Sequence, residues 1–386
     1  MKIVADDNIP GLDEYFGQIG EIHRCPASAM TSPIVAGADI LLVRSVTRVD
    51  EGLLAASTVR FVGSATAGTD HIDLDYLRAR DISFAHAPGC NANAVVQYVI
   101  AALCRRVPDW RGYTVGIVGC GNVGRRLTRA LLSLGVKCRV YDPFVPVAPP
   151  AVRAELQQVL ACDIITLHVP LTHTGPHSTR HLIDRARLEK FAPNTVLINT
   201  SRGAAVDTRA LSALLGDGVA LRVILDVWEQ EPYIDRELLS RVSLATPHIA
   251  GHSQEGKWRA TQMLAEACCE WLGRPSPTVA EGAVAGITSV LPNVTSLCEA
   301  VLRVYDPADD HRAMLEAFDH QPLNHAHSDH ADPDARAAAA FENLRRNYRQ
   351  RREFDHYRVN GIDDASLLAD LQTLGFLAAD KRAENS

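Results

Sequence analysis

The chain has 386 residues, 47% apolar and 22% charged, with a formal charge of −7. That length suggests two or three domains, the composition excludes a disordered or fibrous protein, and the acidic balance argues against general attraction to nucleic acid or anionic lipid. The nine cysteines form no C-x-x-C pair, the first residues lack a signal-peptide layout, and no apolar run approaches the roughly 20 residues that span a bilayer. Free thiols, no metal and a cytoplasmic chain without membrane contact are therefore expected.

In chain order, residues 2–5, 40–44 and 61–64 read as buried strands separated by turn or helical residues, the rhythm of a parallel sheet. A helical pattern over 93–106 follows. A second series of strands is expected at 115–118, 137–141, 164–168, 195–199, 222–226 and 243–245, spaced for crossover helices. Helical spacing returns over 254–272, before a Gly/Pro-rich stretch at 273–277. Two long helices at 93–106 and 254–272 would let the chain leave one lobe and return to it, with a cleft between lobes. The expected fold is α/β: two doubly wound parallel-sheet lobes, Rossmann-like and flavodoxin-like, and a small α+β C-terminal domain. The boundaries are 1–93 plus 254–285 for the first lobe, 94–253 for the second and 286–386 for the last. Within that last part, 287–305 reads as strand or helix, 323–334 as a loop, 335–352 as a basic helix and 364–374 as a further helix, before a charged tail.

The most informative segment is Gly119-Cys120-Gly121-Asn122-Val123-Gly124. A lone Gly-x-Gly-x-x-Gly is a weak signal, because glycines also serve plain turns. Here it follows an apolar strand and opens the helix 122–134, the context in which backbone N–H groups and a helix N-terminus receive a pyrophosphate. Eighteen residues after Gly124, the next strand ends at Asp142. A carboxylate there can accept the ribose hydroxyls of NAD and would repel the extra phosphate of NADP. Capping of the Pro143 turn is a compatible second role.

Three further strand ends carry polar residues: Asn199-Thr200-Ser201-Arg202-Gly203, Asp226-Val227-Trp228-Glu229-Gln230-Glu231-Pro232 and Pro247-His248-Ile249-Ala250-Gly251. Ligands of open α/β sheets bind outside the carboxyl ends of the strands, so Arg202, Glu231 and His248 can converge. A guanidinium holds a carboxylate through two parallel hydrogen bonds. A histidine takes a hydroxyl proton, and a neighbouring carboxylate stabilises the imidazolium. Taken singly, these residues suit a surface ion pair, a turn and a loop. Behind a dinucleotide fingerprint they read together as a catalytic trio.

These four motifs, in this order, resemble those of the D-isomer-specific 2-hydroxyacid dehydrogenases, over roughly residues 35–275. The resemblance implies oxidation of a 2-hydroxyl with reduction of NAD, with Arg202 on the substrate carboxylate or developing carbonyl, His248 as base and Glu231 orienting it. It also implies cofactor contacts at Gly119, Gly121, Asn122, Val123, Gly124, Asp142, Thr200, Ser201, Arg202, Asp226 and Gly251. The segments Val43-Arg44-Ser45-Val46-Thr47 and Gly63 to His71 are similar to the substrate loops of members acting on a phosphorylated four-carbon hydroxy acid. That likeness implies substrate contacts at Ser45 and Thr66, and a homodimer made by the C-terminal domain.

The chain departs from those members at His252, where they carry a substrate-contacting Tyr, and at Gln97, where relatives often carry Glu. His71 and Asp73 suit a turn and helix cap better than a metal site. His311, His320, His325, His327 and His330 lack ligand spacing and are expected to be solvated. The arginines from 345 to 352 lack the stacking aromatics of an RNA site. They suit a dimer surface, or an arm reaching a neighbouring subunit's phosphate site. The competing functions are a dehydrogenase for another D-2-hydroxy acid such as 3-phosphoglycerate, and an NAD-sensing regulator, which has no need of the trio.

Overall fold

The computed structural model describes residues 1–277, 286–287, 289–319 and 333–378. The expectations for His320, His325, His327 and His330, for most of the 323–334 loop and for the charged tail fall outside those residues. The chain divides into two compact units, Met1–Ala92 with His252–Gly286, and Asn93–Gly251 with Ile287–Ser386. Among the described residues, no helix is long and apolar enough to cross a membrane.

The first unit is built on five parallel strands, β1 (Lys2–Asp6), β2 (Glu21–Cys25), β3 (Ile40–Val43), β4 (Phe61–Ser64) and β5 (Ser83–His86), in the order β2-β1-β3-β4-β5. This is the flavodoxin-like order. β3 and β4 are wholly buried and read directly as apolar runs. β2 and β5 are edge strands, and the polar Glu-Ile-His-Arg-Cys and Ser-Phe-Ala-His gave no such run. One face is covered by the helix Gln254–Trp271, whose Leu264, Ala265, Cys268 and Cys269 join Ile3, Ile40, Leu42 and Phe61 in one core. Ser253 starts that helix, its Oγ accepting the Gly256 N–H at 3.0 Å.

The second unit contains seven parallel strands, β6 (Thr114–Val118), β7 (Lys137–Tyr141), β8 (Val152–Arg153), β9 (Ile164–Leu167), β10 (Val196–Asn199), β11 (Arg222–Leu225) and β12 (Leu244–Ala245). Their order, β12-β11-β10-β9-β6-β7-β8, is the doubly wound Rossmann order extended by one strand. It reverses between β6 and β9, so the glycine segment lies at the switch point.

Residues 287–378 group with this second unit and carry a three-stranded parallel sheet, β13 (Ser289–Pro292), β14 (Tyr357–Asn360) and β15 (Leu377–Ala378), in that order. The stretch 287–305, open between strand and helix on sequence, holds both: β13 and the helix Leu297–Val304. Tyr305, Phe354 and Phe376 enter the same core as the Ala92–Arg106 helix, Phe354 stacking on Phe376 at 4.7 Å. Each such ring contributes about 1.5–3 kcal/mol by leaving water.

Three expectations need correction. His311 is not solvated: it is half-buried, and its Nδ1 accepts the Ala245 N–H at 3.1 Å. The basic helix runs over Pro333–Arg346 and stops short of 352, so Arg349, Arg351 and Arg352 follow it in irregular chain. Arg351 is buried, which helical spacing alone did not suggest. The cysteines are not all free: Cys104 and Cys298 form a disulfide across 194 residues, while the other seven are free and buried. Only folding places the Ala92–Arg106 helix beside the Leu297–Val304 helix, so spacing carried no trace of the pair.

Candidate active site

The glycine segment turns sharply out of β6. Gly119 adopts φ +95°, and a Cβ there would run into the His168 carbonyl, so only glycine fits. Gly121 is the N-cap of the helix Asn122–Ser133 and has no side-chain cap, and a Cβ on it would meet nothing within 4 Å. Asn122 is exposed, Val123 half-buried and Gly124 buried in the first helical turn. An uncapped helix start beneath open space fits a pyrophosphate. Asp142 is 8% exposed and accepts the N–H groups of Cys120 (2.7 Å), Phe144 (2.8 Å) and Val145 (2.8 Å). It therefore braces the glycine turn and caps its own turn, and a carboxylate keeps a further lone-pair site for a ribose hydroxyl.

At the end of β10, Asn199 organises the next loop. Its Nδ2 donates to the Arg202 carbonyl at 2.9 Å, and its Oδ1 accepts from the Ser201 N–H and hydroxyl at 3.1 and 2.9 Å. Arg202 is half-buried and donates from Nη1 to the Ser201 carbonyl at 2.8 Å. Thr200 Oγ1 lies 3.4 Å from Nδ1 of His168, whose Nε2 lies 2.9 Å from Thr166 Oγ1. Desolvation at the end of β9 pushes the His168 imidazole down to about 3, so it acts as a neutral hydrogen-bonding group.

His248 and Glu231 meet as expected, Nδ1 to Oε2 at 2.7 Å. The other carboxylate oxygen of Glu231 accepts the Trp228 N–H at 2.7 Å. Burial alone would raise the Glu231 carboxyl, but the His248 charge and hydrogen bond, the Trp228 N–H and the Arg345 charge together hold it below the ordinary range. With Nδ1 committed to Glu231, Nε2 is the nitrogen left to exchange a proton with substrate. His248 stands at φ +56°, a left-handed conformation costly for a residue with a side chain, which persists only where surroundings over-determine it.

Asp226 supplies that determination. It is 1% exposed, and its carboxylate accepts the Thr246 hydroxyl (2.6 Å) and the N–H groups of Ile249 (2.8 Å) and Ala250 (3.0 Å). Its carbonyl accepts the His248 N–H at 2.7 Å. Burial pushes this carboxyl up, against the opposing pull of His248 and the loop donors. Sequence reasoning, through the resemblance, put a cofactor contact at Asp226 and missed its grip on residues 246–250. It also missed Thr246, whose Oγ1 lies 2.7 Å from the buried Tyr98 hydroxyl. Gly251 is half-buried at the end of this loop.

The candidate substrate residues belong to the first unit. Ser45 is exposed after β3, beside Arg44, whose Nε lies 3.1 Å from Asp6. Thr66 Oγ1 donates to the Gly68 carbonyl at 2.7 Å and lies 2.7 Å from Ser64 Oγ, which is 2.9 Å from His71 Nε2. His252 is half-buried just before the Ser253 cap. Asp73 caps a helix through the Tyr76 N–H at 2.9 Å, and no group of three or more metal-ligating side chains occurs among the described residues.

A glycine-turn dinucleotide cradle and a Glu-paired histidine on one Rossmann sheet define a class, the NAD-dependent dehydrogenases of 2-hydroxy acids. Residues 97–250 match the D-isomer specific 2-hydroxyacid dehydrogenase, NAD binding domain, and residues 286–375 match a domain of unknown function, DUF3410. The chain is 44% identical to an erythronate-4-phosphate dehydrogenase of Cellvibrio japonicus over 93% of this chain and 94% of that one. To the protein of that name from Teredinibacter turnerae it is 43% identical, over 97% and 98%. Among solved structures it resembles the cofactor-bound 3-phosphoglycerate dehydrogenase of Entamoeba histolytica, at 25% identity and TM-score 0.61 over 73% of this chain and 98% of that one. The chain belongs to the erythronate-4-phosphate dehydrogenase family, a branch of the D-isomer specific 2-hydroxyacid dehydrogenases, and its cofactor is NAD.

Proposed function

We propose that the chain oxidises 4-phospho-D-erythronate to (R)-3-hydroxy-2-oxo-4-phosphooxybutanoate in pyridoxine biosynthesis. The observation that carries the chemistry is the 2.7 Å pair of His248 and Glu231, held by Trp228 and Asp226. The glycine turn, the helix start at Asn122, Asp142, Thr200 and Ser201 would hold NAD, which when bound would supply the hydride acceptor. His248 Nε2 takes the C2 hydroxyl proton as the C2 hydrogen leaves with its electron pair, and the C–O bond becomes a carbonyl. Glu231 neutralises the imidazolium that forms, and Arg202 holds the carboxylate or the developing carbonyl. Ser45, Thr66 and His252 bind the rest of the substrate. The chain works as a cytoplasmic homodimer joined through residues 286–386. The exposed apolar Ile287, Val290 and Leu377 support that interface.

The test is NADH formation, followed by absorbance, with 4-phosphoerythronate, 3-phosphoglycerate and D-lactate. The first is expected to give the highest kcat/KM, and better turnover of either other acid overturns the substrate. In the same assay, His248→Ala is expected to lose about 10²–10⁴-fold in kcat while retaining NAD affinity.

A further inference from the structure

The loop that carries His248 is gripped by a residue of the domain of unknown function. Arg351 is 5% exposed, deep in the second unit. Its Nη2 donates to the carbonyl of Ala250 and, at 3.3 Å, to that of Ala94 at the start of the Ala92–Arg106 helix. The N–H of Ala250 is already bound to Asp226, so residue 250 is held on both polar groups, by Asp226 through N–H and by Arg351 through C=O. The guanidinium lies 4.4 Å from the Tyr305 ring centre, while its Nε and Nη1 find no hydrogen-bond acceptor among the described residues.

The surroundings fix the arginine rather than merely tolerate it. The Tyr305 and Tyr348 hydroxyls donate to one oxygen of Asp310 at 2.9 and 3.0 Å, and Arg349 approaches that carboxylate at 3.9 Å. Tyr305 in turn packs against Tyr98, which reaches Thr246 at the other end of the same loop. Two residues on, the buried Glu353 accepts from Asn93 at 3.3 Å. A buried cation with two unused donors is a costly way to fill a core, and apolar residues would fill it with less penalty. What it provides here is a rigid donor to a carbonyl two residues from His248.

We propose that Arg351 is a positioning residue for catalysis: it fixes the Ala250 carbonyl and thereby the left-handed His248 backbone that presents the imidazole to Glu231 and substrate. The assigned role gives the appended C-terminal region a part in the chemistry of its own chain. It rests on His248 being the base, as proposed above, and does not depend on which 2-hydroxy acid is the substrate.

The experiment compares full-length wild type, Arg351→Met and Arg351→Lys, each with the acid the wild type oxidises fastest. NAD affinity and the number of NAD sites are measured by fluorescence titration, kcat is expressed per NAD site, and the primary isotope effect is taken with the C2-deuterated acid. Arg351→Met is expected to lose about 10–100-fold in kcat per site, the scale of a small misplacement of a catalytic group. NAD affinity should stay within about threefold of wild type, because the glycine turn is untouched, and the isotope effect should rise as hydride transfer becomes slower. Arg351→Lys, which keeps a cationic donor group, should recover part of kcat. An unchanged kcat per site and isotope effect, with only Tm lowered, would overturn the assignment. If Arg351→Met does not fold, Arg351→Lys decides: reduced kcat per site with a larger isotope effect upholds the role, and wild-type values refute it. Failure of 4-phosphoerythronate as substrate leaves this comparison standing, whereas a fully active His248→Ala would remove its premise.

Discussion

At the residue scale, the His248–Glu231 pair ties activity to stability through pH. The Glu231 carboxyl sits below its ordinary range in the folded chain, because His248, the Trp228 N–H and the Arg345 charge outweigh the opposing burial. An unfolded glutamate ionises near pH 4.3. The stabilisation is therefore fully present above that value and is lost as pH falls through the lower folded value. Glu231→Gln removes the titrating group. Between neutral pH and a pH below that at which free glutamate ionises, wild type should lose more Tm than the variant. Thermal denaturation of both proteins across that range checks it, and parallel declines would show that the pair is not linked to folding. The types and spacing of Arg202, Glu231 and His248 were legible because each motif ends a strand of a regular series. The work of Asp226 and Thr246 was not, because an aspartate gripping N–H groups more than twenty residues away leaves no periodic mark.

At the scale of elements, two glycines of similar appearance in the sequence do different work. Gly121 faces open space at the start of the Asn122–Ser133 helix, whereas a Cβ on Gly203 would land on the Trp228 backbone, where the β10 and β11 loops touch. Gly121→Ala should leave stability within about 0.5 kcal/mol of wild type and weaken NAD binding at least about tenfold, since the new methyl occupies the approach of the pyrophosphate. Gly203→Ala should instead cost about 1–3 kcal/mol in urea unfolding, as overpacking does. Equal NAD affinity of Gly121→Ala and wild type would mean that the phosphates lie elsewhere. Strand–turn–helix order made the first glycine readable in advance. The second needed the β11 loop in place, just as the edge strands β2 and β5 needed a sheet to belong to.

At the scale of the whole molecule, residues 287–378 are joined to the Rossmann core by apolar packing and by the Cys104–Cys298 disulfide, both within one chain. Leu291 and Val359 turn inward from β13 and β14, so the two-residue period of a strand turns Val290 outward, and Val290 (45% exposed) and Leu377 (39%) remain uncovered. Burying those side chains against a second copy is the economical use of such a surface. Two arginines of the basic segment, by contrast, are engaged within their own chain. Arg345 pairs with Glu342 at 3.1 Å and its charge acts on Glu231, while Arg351 holds Ala250. Neither of these two side chains is therefore available to an arm reaching a neighbouring subunit. The two assignments separate in one variant, Val290→Glu with Leu377→Glu. Light scattering should give twice the chain mass for wild type and the single-chain mass for the variant. Because Arg351 serves its own chain, the monomer should keep kcat per NAD site within about threefold of wild type, small against the 10²-fold that misplacing a catalytic group costs. A wild-type monomer, or a variant that stays dimeric, would remove the interface from this sheet. A folded monomer with kcat lost would mean that a group from the second copy completes the site.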